Sequence, residues 1–208
     1  MEPMIEAIAI GGSAGALDAL SMILPALPPA FPVPIVIVLH IPPGKPNYLP
    51  EVLGSMCALR VKEAEDKEPL KPGIVYTAPP DYHLLVEKQR VLSLSVDEPV
   101  LFSRPAIEVL FESAADAFGN RLAGVLLAGG SEDGARGLAQ IKRAGGLALV
   151  QAPATAAVRT MPQAALDLGV VDHALAPEAL GTFLAKLGEQ PISLLESGHG
   201  TVQNSDRR

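Results

Sequence analysis

Short apolar runs and helically spaced apolar positions alternate along this chain. Unbroken or nearly unbroken runs stand at residues 5–10 (Ile5-Glu6-Ala7-Ile8-Ala9-Ile10), 35–39 (Ile35-Val36-Ile37-Val38-Leu39), 122–127 and 147–151. Runs of this length, several rich in β-branched residues, are expected of parallel strands buried on both faces. Between them the spacing changes. Leu17, Leu20 and Leu24 recur on one side of a helix that Pro25 ends, and a second helix is expected after Arg104-Pro105 through Phe118, stopped by Gly119-Asn120. Residues 133–144, 161–168 and 177–187 read as further helices, and Val170-Val171 as a short strand. The segment ending at His40 is therefore strand, tight turn, helix, strand: a βαβ unit whose strands run parallel.

The middle of the chain breaks this rhythm. Residues 73–78, 82–86 and 91–96 are short strand candidates separated by turn-like segments, as in hairpins at an antiparallel edge. Residues 198–208 are polar and carry little apolar surface to bury. The pattern predicts an α/β protein with a mostly parallel central sheet, helices on both faces (doubly wound) and an antiparallel hairpin at one edge. Residues 1–188 form its one domain, and residues 189–208 a flexible C-terminal tail.

Composition narrows the class. The 208 residues are 49% hydrophobic, enough for the core of one domain at roughly 100–200 residues per domain. A net charge of −7 disfavours an indiscriminate nucleic-acid binder, while leaving room for a local basic patch around Lys142 and Arg143. Cys57 is the single cysteine, so no intrachain disulfide forms. The acidic N-terminus lacks the basic region of a secretory signal, and the most apolar stretch, residues 35–41, is too short to span a bilayer. A cytoplasmic protein without membrane insertion is expected.

Three polar residues follow apolar strands at their carboxyl ends: Ser13 after 5–10, His40 after 35–39, and Asp133 after 122–127. Open α/β sheets bind ligands beyond those ends, so one edge can receive a hydroxyl, an imidazole and a carboxylate. The glycines around Ser13 permit a sharp turn that lifts the hydroxyl into the open, with the Ala14 amide at the start of a helix and ready for an oxyanion. The same turn also suits a helix cap or a phosphate cradle. A dinucleotide site asks for an acidic residue after the second strand; this chain has His40 there, which weakens that reading. His40 alone could be a buried structural histidine. Asp133, in Gly129-Gly130-Ser131-Glu132-Asp133-Gly134, could equally cap the helix that follows, and Glu132 is a rival carboxylate.

These pieces together resemble the catalytic domain of the chemotaxis protein-glutamate methylesterases, the CheB family. The resemblance covers about residues 8–187 and rests on Ile10-Gly11-Gly12-Ser13-Ala14-Gly15-Ala16, Leu39-His40-Ile41-Pro42, Gly73-Ile74-Val75-Tyr76-Thr77-Ala78-Pro79 with Tyr82-His83-Leu84, Ser103-Arg104-Pro105, the Gly129 to Ala135 loop, and Gln151-Ala152-Pro153-Ala154-Thr155 with Met161-Pro162. It implies Ser13 as nucleophile, His40 as base and Asp133 as orienting carboxylate, with no metal and no cofactor. The backbone N–H groups of Ala14 and Gly130 are the oxyanion candidates, and Arg104 is a candidate substrate contact. Tyr82 and His83 are expected to pack beside the site. The implied reaction is hydrolysis of γ-glutamyl methyl esters on chemoreceptor helices, with deamidation of receptor glutamines in some members. Other readings are the same triad acting on another ester, and a non-catalytic module that docks on a receptor. Family members often carry Ser-Thr-Gly-Gly and Gly-Met-Gly where this chain has Ser13-Ala14-Gly15-Ala16 and Gly129-Gly130-Ser131. The well-known members also carry an N-terminal receiver domain. With none expected in this chain, control by a separate receiver protein is an expectation.

Overall fold

The computed structural model describes residues 4–41, 44 and 47–189. The expected tail at 190–208, and Pro42 of the His40 motif, lie outside the described residues. The strands are β1 (Ala7–Gly12), β2 (Ile35–Leu39), β3 (Arg60–Glu63), β4 (Ile74–Thr77), β5 (His83–Val86), β6 (Leu92–Ser95), β7 (Leu122–Leu126), β8 (Leu147–Gln151) and β9 (His173–Leu175). The helices are α1 (Ala16–Ile23), α2 (Leu49–Gly54), α3 (Ile107–Phe118), α4 (Ala135–Arg143), α5 (Thr160–Asp167) and α6 (Pro177–Leu187).

Seven strands form one sheet in the order β3-β4-β2-β1-β7-β8-β9, every pairing parallel. β5 and β6 form a separate antiparallel pair. The hairpin is thus a small sheet of its own, while residues 73–78, expected in a hairpin, contribute β4 to the parallel sheet between β2 and β3. Val170 and Val171 are not in a strand; β9 begins two residues later, at His173.

Period-two alternation sorts the strand side chains onto two cores. Ile8, Ile10, Ile35, Ile37 and Val125 pack with α1 and α6. Ala7, Ala9, Val36, Val38 and Leu126 pack with α3, α4 and α5. Helices therefore cover both faces, which is why β1, β2, β7 and β8 are buried at every position. The buried stripe of α1 is Ala16, Ala19, Leu20 and Ile23, so Leu17 faces outward, against the spacing argument. Each buried leucine or isoleucine on these faces contributes about 1.5–3 kcal/mol relative to exposure.

β1 lies in the middle of the sheet. The chain winds outward from it through β2 to β4 and β3, then returns to its other side as β7. That reversal puts a topological switch point at the carboxyl ends of β1, β2 and β7. No described helix is long and apolar enough to cross a membrane.

Candidate active site

Each strand end at the switch point delivers one of the three polar residues. β1 and β2 run in parallel register, Gly12 beside Leu39, so Ser13 and His40 follow as the next pair. The His40 N–H donates to the Gly12 carbonyl (3.3 Å), and the Ser13 N–H to the Ala128 carbonyl beyond β7 (2.8 Å). An ideal Cβ placed on Gly129 lies 3.1 Å from Ser13 Cβ, so the acid loop passes directly against the serine.

Asp133 is fully buried and His40 Nε2–H donates to its Oδ2 at 2.7 Å. Its carboxylate accepts two further bonds, from Ile107 N–H to Oδ2 (2.8 Å) and Glu108 N–H to Oδ1 (3.0 Å). Those amides are the first two of α3, where unpaired N–H groups and the helix dipole stabilise negative charge. Asp133 does cap a helix, but not the one that follows it in sequence: α4 has Gly134 as its N-cap. α3 reaches the loop because residues facing Ile107 lack side chains. A Cβ on Gly11 would stand 2.1 Å from Ile107 Cγ2, and one on Gly134, at φ 88°, 2.5 Å from the same atom.

Two more side chains complete this brace. Glu108 Oε2 accepts the Gly134 N–H (3.1 Å). Burial pushes the Glu108 carboxyl above its ordinary range, an effect that the Gly137 and Gly134 amides oppose and the Glu112 and Asp133 carboxyls reinforce. His83, buried, accepts the Ala106 N–H at Nδ1 (3.2 Å), and its Nε2 lies 3.1 Å from the Glu98 carbonyl. His83 thus packs beside the site as expected and fixes the residue that precedes α3. Tyr82 is partly exposed. Glu132, the rival carboxylate, is exposed and makes no hydrogen bond or ion pair with His40 among the described residues.

Ser13 does not cap α1, whose N-cap is Gly15, and its hydroxyl makes no hydrogen bond among the described residues. Among the described residues no hydrogen bond joins Ser13 Oγ to His40. With Nε2 on Asp133, Nδ1 is the ring nitrogen left for proton exchange. Ala14 lies in the turn two residues before α1, not at the start of the helix as expected. Neither the Ala14 nor the Gly130 amide donates a hydrogen bond among the described residues, and both residues are exposed.

Beside His40 opens a cleft of about 320 Å³ lined by Ile41, Asp81, Phe102, Ser103, Arg104 and their neighbours. Arg104 is its most heavily bonded wall: Nε and Nη2 donate to Asp81 Oδ1 (3.1 and 2.8 Å), and Nη1 to the carbonyls of Val96 and Asp97 (2.9 and 3.1 Å). Lys142, in the anticipated basic patch, is paired with Asp172. Sequence reasoning missed Glu108 and the α3 amides as parts of the site. Nothing local marks them, since Glu108 reads as a lone acid on an apolar helix.

A carboxylate-braced imidazole and an unbonded serine, side by side at the carboxyl edge of a doubly wound sheet, define an α/β protein with a hydrolase-type site. Comparison with known proteins agrees. The family model described as CheB methylesterase matches residues 8–184, and the chain belongs to that family. It is 47% identical over 187 residues to a putative protein-glutamate methylesterase/protein-glutamine glutaminase of Leptospira interrogans, covering 90% of this chain and 97% of that one. It is 41% identical over 165 residues to the protein-glutamate methylesterase/protein-glutamine glutaminase of Archaeoglobus fulgidus, covering 78% of this chain and 47% of that relative. The crystal structure of the Thermotoga maritima CheB methylesterase catalytic domain superposes with a TM-score of 0.82 at 34% identity, over 88% of this chain and 98% of that one.

Proposed function

We propose that this chain is a protein-glutamate methylesterase in which Ser13 is the nucleophile, His40 the general base and Asp133 the carboxylate that orients it. The observation that carries the reading is the 2.7 Å bond from His40 to a fully buried Asp133, made one strand away from Ser13. Asp133 holds the imidazole with Nε2 protonated, so Nδ1 is the basic nitrogen. Nδ1 takes the Ser13 proton as Oγ attacks the ester carbonyl, the Ser13–His40 bond tightening when substrate is in place. The oxyanion then faces the N–H groups of Ala14 and Gly130, neither of which is engaged in a hydrogen bond among the described residues.

Collapse of the tetrahedral intermediate breaks the bond to methoxide, which takes the proton from His40 and leaves as methanol. Water, deprotonated by His40, attacks the acyl-serine; the proton returns to Ser13 Oγ and the glutamate is released. A glutamine side chain follows the same course with ammonia as the leaving group, which accounts for deamidation by the same site. Arg104, fixed by its four bonds, is a rigid cationic wall for substrate binding, with a further N–H on Nη2. Residues 1–188 act as the catalytic domain. The partners are methylated chemoreceptor helices, reached in the cytoplasm.

The test is methanol release from methylated chemoreceptor membranes. The wild type should release methanol, and Ser13→Ala should lose at least about 10³-fold in kcat. Wild-type turnover by Ser13→Ala refutes the nucleophile. Cleavage of a small activated ester without methanol release from receptor moves the chain to a different ester.

A further inference from the structure

The turn at residues 100–103 stands at the mouth of the His40 cleft and is unlike the rest of the surface. Val100 and Ser103 exchange both backbone hydrogen bonds (3.1 and 2.9 Å), and the two residues between them, Leu101 and Phe102, have φ of 49° and 63°. Both central φ values are positive, as in the turns that favour Asn-Gly. Here they are held by two large apolar residues with no relief from glycine. Phe102 recovers nothing for this strain on folding, being 103% exposed, and Leu101 is 42% exposed. Phe102 lines the same cleft as His40 and Arg104. Val96, whose carbonyl accepts a bond from Arg104, is a third exposed apolar residue.

We propose that this turn is the docking element for the polypeptide that carries the ester, with Phe102 packing on an apolar side chain of that polypeptide next to its esterified glutamate. The inference rests on the methylesterase reading. A glutamyl carbonyl is three C–C bonds from its Cα, roughly 4 Å. Ser13 stands one strand from His40, which lines the cleft, so the ester reaches it only when the substrate backbone itself comes close to these strand ends. On a helix, side chains three and four residues from the glutamate lie about 5–6 Å from it, and Phe102, on the cleft that His40 lines, is the exposed apolar side chain available to meet one of them. A small ester has no such neighbours and gains nothing from the turn. Phe102 is in this sense a specificity-determining residue, selecting a protein-borne ester over a free one.

The experiment measures kcat/KM on methylated receptor membranes and on p-nitrophenyl acetate, and takes their ratio. Three proteins are compared with the wild type: Phe102→Ser, the double variant Leu101→Asn/Phe102→Gly, and Met22→Ser, which removes an exposed apolar side chain from α1. The ratio should fall about tenfold or more in both turn variants, mainly through KM, and stay at the wild-type value in Met22→Ser. The double variant relieves the turn's strain, so its melting temperature should match or exceed the wild type, separating docking from misfolding. An unchanged ratio in both turn variants overturns the proposal, as does a concentration-dependent dimer that Phe102→Ser dissociates without changing the ratio. A wild type that cleaves p-nitrophenyl acetate but releases no methanol overturns the methylesterase reading, and this inference falls with it.

Discussion

Replacing Asp133 by asparagine should damage the fold as well as the chemistry. The carboxylate accepts three bonds, from His40 (2.7 Å), Ile107 N–H (2.8 Å) and Glu108 N–H (3.0 Å), and is fully buried. Asparagine keeps one acceptor oxygen and turns the other position into a donor. If its oxygen serves Ile107 and His40, its NH₂ faces the Glu108 N–H, and two buried donors are left pointing at each other. An unsatisfied buried donor costs about 1–3 kcal/mol. Loss of negative charge at the α3 N-terminus adds about 0.3–2 kcal/mol. The sum is about 1–5 kcal/mol, which for a domain of this size lowers the melting temperature by roughly 3–20 °C. Turnover should fall by about 10³–10⁴, as expected when a base loses its orienting carboxylate. His40→Ala is the control: it abolishes the relay but leaves both α3 amides bonded, so it should melt within about 1 kcal/mol of the wild type. Thermal unfolding followed by circular dichroism reads all three proteins. An Asp133→Asn variant that melts together with the wild type would falsify the claim that this carboxylate anchors α3.

Other substitutions test the neighbouring contacts. Ser13→Ala should melt within about 0.5 kcal/mol of the wild type, because the hydroxyl has no hydrogen bond to lose. A larger drop in urea titration would mean that Ser13 has a structural role. Gly129→Ala forces a methyl to within 2.5 Å of Met161 Cε and 3.1 Å of Ser13 Cβ, whereas at Gly130 the nearest atom is Val158 Cγ1 at 3.9 Å. The first should cost about 1–3 kcal/mol and the second well under 1 kcal/mol; equal melting temperatures would contradict this packing. Glu108 has a folded-state pKa above its ordinary 4.5, so its contribution is full below 4.5 and is lost as pH rises through the folded value. The stability of Glu108→Gln relative to wild type should therefore increase as pH rises from 4.5. A difference that stays flat from pH 4 to 8 would show that Glu108 does not titrate in that range.

The elements easiest to read in the sequence were those buried on both faces or strongly periodic. β2, β8 and α6 have the bounds their apolar patterns imply, and Ser13, His40 and Asp133 stand where strand ends placed them. α2 is six residues long with proline in its first turn, too short for a helical period to show. β3 is an edge strand, Arg-Val-Lys-Glu, with no buried position and hence no hydrophobic signal. β4 reads as part of a hairpin because a short apolar run does not reveal its partners, which here are β2 and β3. The support of the site was hidden for the same reason. Glu108 and the α3 amides meet the acid loop only because Gly11 and Gly134 let Ile107 come close. That is a contact between distant parts of the chain, with no local pattern to mark it.

Neighbouring parallel strands set the distance between Ser13 and His40. β1 and β2 are bonded in register at the centre of a sheet packed on both faces. Adjacent strands stay about 4.8 Å apart, and changing that separation breaks backbone hydrogen bonds and two cores at once. The backbones of Ser13 and His40 are thus held at a fixed pitch, like two teeth of a comb. Separating those backbones would take the sheet itself apart. On the reading proposed above, control belongs at the cleft mouth, where covering or uncovering the entrance leaves the paired strand ends assembled behind it.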